Sequence, residues 1–163
     1  MVRYVHTVRK MYLQALNELP WDEVIKDRQA SFSSLRDIFV HALGVENRII
    51  NYVIQGKFPG YEKWDKIVDL KKLSNIDIIR EYVDEVEKKV EAYLENLTKL
   101  ELDRKVPVPR RTTPTYLLRV EDNLIYVSTE NIYHFGEMEA IFYQMGKQPP
   151  FLDWSNFIQK ERS

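Results

Sequence analysis

Three side chains in this sequence have the types and the spacing to hold a metal ion together. Glu130 and His134 stand four residues apart in VEDNLIYVSTENIYHFGEMEAIFYQMG, residues 120–146, which reads as one long helix. Positions i and i+4 lie above one another on a helical face, so a carboxylate and an imidazole placed there can share one ion. His41, near the middle of another apolar-periodic segment, is the third candidate. Three ligands from two helices, with positions left for water or substrate, are the format of a catalytic rather than a structural site. Two neutral imidazoles and one carboxylate leave a divalent ion with a net charge of about +1, against about +2 for three histidines. That donor set weakens Lewis acidity and admits iron and manganese beside zinc and nickel.

The chain has 163 residues, 44% hydrophobic and 30% charged, with a formal net charge of −1. This is the balance of one soluble domain over 1–163 with a real core, and it offers no bulk electrostatic reason to bind nucleic acid or an anionic membrane. The absence of cysteine removes disulfides, thiolate ligands and a cysteine nucleophile, so any thiol chemistry needs a thiol from outside. No apolar run approaches membrane-spanning length and residues 1–20 lack a signal-peptide core, so the expected location is cytoplasmic.

The elements that must position the three residues follow from periodicity. Val5, Val8, Tyr12, Leu13 and Leu16 predict a first helix over 2–19, ended by Pro20, and WDEVIKDR a short helical turn after it. Ser33 or Ser31 is the expected cap of a second long helix carrying Leu35, Ile38, Phe39, Leu43, Val45, Ile49 and Val53, with Gly56 at its end. Residues 57–74 read as a connection with a Pro59-Gly60 turn, and Ser74 or Asn75 as the opening of a third helix reaching about Leu100. The prolines of 103–119 forbid a helix and a central strand, leaving an extended crossover or a small edge hairpin. Gly146, then Pro149 and Pro150, stop the last helix, whose core stripe is Leu124, Val127, Phe135, Met138, Ile141, Phe142 and Met145. Trp154 and Phe157 in the tail are expected to fold back on the body. The fold class is therefore all-α, a four-helix bundle with a long crossover before the last helix, and such bundles build their sites from side chains on facing helices.

At this point the sequence resembles the DinB/YfiT-like family of metal-binding helical bundles. The resemblance rests on His41-Ala-Leu-Gly-Val-Glu46, against the family's H-x4-E, and on Glu130-Asn-Ile-Tyr-His134-Phe-Gly136-Glu137, against its H-x3-H-R-G-Q. It covers nearly the whole chain in helix order. Glu130 replaces the first histidine of the second motif, Phe135 its basic residue and Glu137 its glutamine. The resemblance implies one divalent ion (zinc, nickel, iron or manganese) on His41, Glu130 and His134, and a homodimer. It also implies a small-molecule substrate, with thiol-dependent transfer or isomerisation, or hydrolysis, as the reaction types. It further implies a close helix approach at Gly136. The alternative is a non-enzymatic dimeric bundle, an interaction or stress-related protein whose metal site is structural or vestigial.

Each of these residues also has a plainer reading. His41 could be a core histidine satisfied by a carbonyl, and Glu130 a surface carboxylate among many. Glu46 lies about 140° round its helix from His41, which suits a supporting or surface role rather than ligation. Glu137, about 60° from His134, could orient a ligand or face a partner subunit. His6 is expected exposed, Tyr126 and Tyr133 are expected to pack, and Trp21, Trp64 and Trp154 to cover bundle ends. Arg110 and Arg111 could meet an anionic substrate, or form a solvated charge pair beside the prolines.

Overall fold

The apolar periodicities resolve into four long helices packed in a ring. The computed structural model describes residues 1–64, 66–109 and 114–161. Arg110 and Arg111, and the side chain of Trp64, lie outside the described residues. Helix α1 is Val2–Asn17, followed by the short α2, Trp21–Ile25; α3, Leu35–Arg48, continues as a π-helical segment, Ile49–Ile54. After the one-turn α4, Tyr61–Trp64, come α5, Ile76–Leu94, and the short α6, Lys99–Asp103. Strands β1, Lys105–Val108, and β2, Tyr116–Arg119, lead into α7, Val120–Gln144, and α8, Trp154–Glu161, follows. Helix α1 packs on α5 and α7, and α3 packs on the same two helices.

Caps set the helix boundaries. The second long helix is capped by Ser34, not by Ser31 or Ser33, its side chain accepting from the Asp37 amide. Asn75 caps α5 through the Ile78 amide at 3.0 Å. That helix ends at Leu94 rather than near Leu100, because Thr98 starts a new helix by accepting from the Glu101 amide. At the other ends Gly56 and Gly146 both take φ +67°. The amides of Lys57 and Lys147 reach back to the carbonyls of Tyr52 and Phe142, and those of Gly56 and Gly146 to Val53 and Tyr143. This is the Schellman closure, which needs a left-handed residue that glycine adopts without a Cβ penalty.

The crossover forms the small hairpin. β1 and β2 pair antiparallel with Val106 opposite Leu118 and Pro107 opposite Leu117. Val106 and Val108 are buried while Lys105 and Pro107 are exposed, so the prolines sit where a two-stranded edge tolerates them. The tail folds back as expected: Trp154 and Phe157 meet the Tyr4 ring edge-on at 5.2 and 5.5 Å.

The core is not wholly apolar. Arg9 of α1 is fully buried and bonds to each of the other three long helices. Its guanidinium donates to Glu46 of α3 at 2.5 and 3.3 Å, to Glu87 of α5 at 2.9 Å and to the Asn131 side chain of α7 at 2.9 Å. His6, expected at the surface, is instead 5% exposed. Its ring nitrogens stand 2.9 Å from Glu46 and 2.9 Å from Glu91. It misses the surface because positions 5, 6, 8, 9 and 12 of α1 all face inward. Burial pushes the Glu46 carboxyl up, but the Arg9 charge and the His6 and Arg9 hydrogen bonds outweigh it and hold it at about 2.

Two outcomes follow. Arg9→Met strands two buried carboxylates, and urea unfolding should report a loss of about 3–5 kcal/mol. Because the folded pKa of Glu46 lies below its ordinary 4.5, its share of stability is complete above that pH. That share is lost as pH falls toward 2. Melting temperature followed from pH 7 to 2 should drop through that window, and less steeply in Glu46→Gln.

Candidate metal centre

His41 lies in the second turn of α3, and Glu130 and His134 lie mid-way along α7. These two helices share the most extensive helix–helix contact of the bundle. One ligand atom from each of the three residues falls within 4.8 Å of the others. The His41 and His134 rings stand edge to face with centroids 4.9 Å apart. Glu130 Oε2 is 3.7 Å from His134 Nε2, close to the roughly 3.4 Å between two donors on one tetrahedral ion. Small side-chain rotations therefore suffice to bring all three donors to one centre, and the residues present fit a divalent cation.

The protonation states also fit. Burial first, then the neighbouring His134 and the Arg48 charge, push the His41 imidazole down to about 4, against a smaller opposing pull from Glu137. A neutral imidazole keeps the lone pair that a metal needs. His134 Nδ1 faces Glu137 Oε2 at 3.2 Å. A proton shared there leaves Nε2 as the free donor, on the side of Glu130. Burial raises the Glu137 carboxyl, but hydrogen bonds from the Ser31 hydroxyl and amide and from His134 bring it below its ordinary value. Of the two roles open to Glu137, the geometry thus places it behind His134, on the ring nitrogen away from Glu130.

Other sequence expectations come out differently. Glu46, given a supporting or surface role, does not reach the surface; it is fully buried on Arg9 and His6. No close approach occurs at Gly136, where an added Cβ would meet nothing within 4 Å. A tight approach occurs instead at Gly44 of α3, where a Cβ would stand 3.1 Å from Val68 in the connection between α4 and α5. Tyr133 does not pack into the core: it is 71% exposed, with its ring edge-on to His134 at 5.3 Å, and Tyr126 also reaches the surface. Two neighbours of the site were not read from the sequence. Phe32 stacks on His41 with centroids 4.1 Å apart and planes 29° apart. The Ser31 amide and hydroxyl donate to the two Glu137 oxygens at 2.8 and 2.7 Å. Both lie in an irregular segment whose path no periodicity reports.

Fold and site together define a helical bundle with a histidine–carboxylate–histidine cluster between its two most closely packed helices. The family model that matches, over residues 1–162, is that of the DinB family, and the chain belongs to it. No match was found among curated proteins. Among the described residues no helix is long and apolar enough to cross a membrane.

Removing the group that orients His134 should weaken any ion held at Nε2. Glu137→Ala is expected to lower zinc affinity by about 10–100-fold, read by competition with a chromophoric chelator. The far-ultraviolet circular dichroism should stay that of the wild type.

Proposed function

We propose that the protein is a divalent-metal-dependent enzyme acting on a small molecule, of the thiol-dependent transferase, isomerase or hydrolase type. The observation that carries this reading is the convergence of His41, Glu130 and His134 on one point with their donor atoms within 4.8 Å. Ligation is the role assigned to these three side chains. His41 and His134 bring neutral donors, Glu130 brings the one negative charge, and Glu137 keeps the His134 ring turned. Three protein ligands leave coordination positions for a substrate atom or an exogenous thiol, as in catalytic sites. A bound divalent ion supplies Lewis-acid polarisation, or a lowered pKa for water or thiol at neutral pH. The chain, lacking cysteine, contributes no thiol of its own.

A homodimer belongs to the same reading, and the outer face of α7 supports it. That helix carries no lysine or arginine from Val120 to Gln144. Ile125, Thr129, Ile132, Gly136 and Tyr143 form an exposed stripe at spacings of three, four and seven, flanked by Tyr133. In an antiparallel pair of such helices centred near residue 134, Ile132 faces the open space over Gly136 and Tyr143 faces Ile125. The large exposed side chains alone offer on the order of 600 Å² per copy, close to the per-partner area of a stable interface.

Elemental analysis by inductively coupled plasma mass spectrometry tests the site on protein never exposed to a nickel column or chelator. About one divalent ion per chain is expected, lost in His134→Ala and in Glu130→Ala. If the wild type holds no metal and takes up neither zinc, iron, manganese nor nickel, the enzyme reading fails and a non-enzymatic bundle replaces it. For the assembly, sedimentation velocity should give a dimer that Ile132→Glu converts to monomer; a wild-type monomer at 50 μM or above would remove the dimer.

A further inference from the structure

Between α2 and α3 the chain makes a strap, residues 26–34, whose base and tip are held in different ways. At the base the Arg28 amide donates to the Ser33 carbonyl at 2.7 Å, closing the loop. The Arg28 guanidinium donates to the carbonyl and carboxylate of Glu23 on α2 at 3.2 and 2.5 Å. Gln29 turns the chain through a left-handed conformation, φ +54°, that a non-glycine residue seldom adopts, with its amide on the Asp27 carboxylate at 2.9 Å. At the tip, the contacts go to the metal-site residues. Ser31 gives both its donors to Glu137, and Phe32 lies over the His41 ring and edge-on to His134 at 5.5 Å.

Glu137 Oε2 accepts from two sides, from the Ser31 hydroxyl at 2.7 Å and from His134 Nδ1 at 3.2 Å. Holding a cation at His134 Nε2 makes the Nδ1–H a stronger donor, which fixes the Glu137 carboxylate in the position that Ser31 uses. Conversely, a strap seated on Glu137 keeps the carboxylate where His134 needs it. Phe32, stacked flat on His41, must slide aside before that imidazole can swing or a bulky group can reach the ion from its side. From this geometry we infer that the Ser31–Phe32 tip is a working part of the metal centre, a strap whose closure and the binding of the ion reinforce each other. Ser31 is a positioning residue acting through Glu137, and Phe32 is the cover that sets how fast the ion exchanges. This rests on the metal-centre reading, and coupling of the two events runs equally in both directions.

The test uses zinc-loaded full-length protein and needs no substrate. Release of zinc to excess chelator should be about tenfold faster or more in Phe32→Ala and in Ser31→Ala than in wild type. Both variants should still load about one ion per chain and keep the wild-type far-ultraviolet circular dichroism. On wild type alone, hydrogen exchange by mass spectrometry should show slower exchange in a peptide spanning 28–34 once zinc is added. If wild type binds zinc but the variants release it at the same rate and the strap's exchange is unchanged, the coupling is wrong and the metal centre stands. If wild type takes up no zinc or other divalent ion, both fall. Should a variant fail to fold, the wild-type exchange measurement decides the matter by itself.

Discussion

The geometry of this bundle depends on one buried cation. Arg9 places a permanent positive charge where water cannot reach it, and a charge in that position is tolerated only if its donors meet acceptors in good geometry. The acceptors come from α3, α5 and α7, one helix each. Apolar side chains can slide or turn past one another at modest cost, whereas a guanidinium fork fixes both the height and the rotation of what it grips. Asn131 is the residue after Glu130, and Glu46 is five residues from His41. A one-residue slip of α7 would turn it by about 100° and take Asn131 off Arg9 and His134 away from His41 together. The clamp and the candidate metal centre thus share one register. The polar network continues outward, through His6 to Glu91 and Arg3 and through Glu87 to Lys10. Arg3 and Lys10 are exposed, so the network reaches water at both ends.

What the sequence reveals of this architecture follows from where local rules decide the outcome. The long helices, the stops at Gly56 and Gly146, the hairpin among the prolines and the folded-back tail all rest on periodicity or on backbone constraints that act within a few residues. The histidine–carboxylate pair of α7 was legible for the same reason, since four residues is one turn. The Arg9 network was not, because a charged residue at helical spacing reads as surface until its partners are known. A trace of it was present. Arg9 lies in the stripe Val5, Tyr12, Leu16, Glu87 lies between Val83, Val86 and Val90, and Glu46 lies in the stripe Leu43, Ile50, Val53. Opposite charges at core positions on three different helices are a signature of a buried clamp. His6 is hidden for the same reason, and the strap for a different one: an irregular segment has no period to reveal which of its side chains turns inward.

Helix α7 shows why periodicity has limits even within one element. It carries apolar side chains on its exposed face as well, at Ile125, Ile132, Tyr133 and Tyr143, so a core stripe can be drawn correctly while the opposite face is misjudged. Tyr133 was counted with the packing residues and instead stands outside, against His134. The candidate site occupies the seam between these two faces. There Glu130 and Glu137 both turn toward the imidazole of His134. A helix that must present a core face, a cluster of ligands and an uncharged outer face has little room for lysine or arginine, and α7 has neither.

The two glutamates also bear on what kind of centre this chain could make. Glu130 would be a direct donor in the place of an imidazole, and Glu137 adds a second carboxylate behind His134, across its ring from Nε2. Hydrogen bonds from Ser31 and His134 favour its ionised form. A divalent ion between them would carry almost no net charge with its surroundings, where three histidines and a neutral amide would leave about two positive charges. Electrostatics alone then favours holding the cation more firmly and polarising a ligand less. Reactions that need a strong electrophile suit such a site poorly. A nucleophile that ionises readily, such as a thiol, needs less help from the ion than water does, because its own pKa begins near 8.5 rather than 15.7. A chain without cysteine would have to take that thiol from solution.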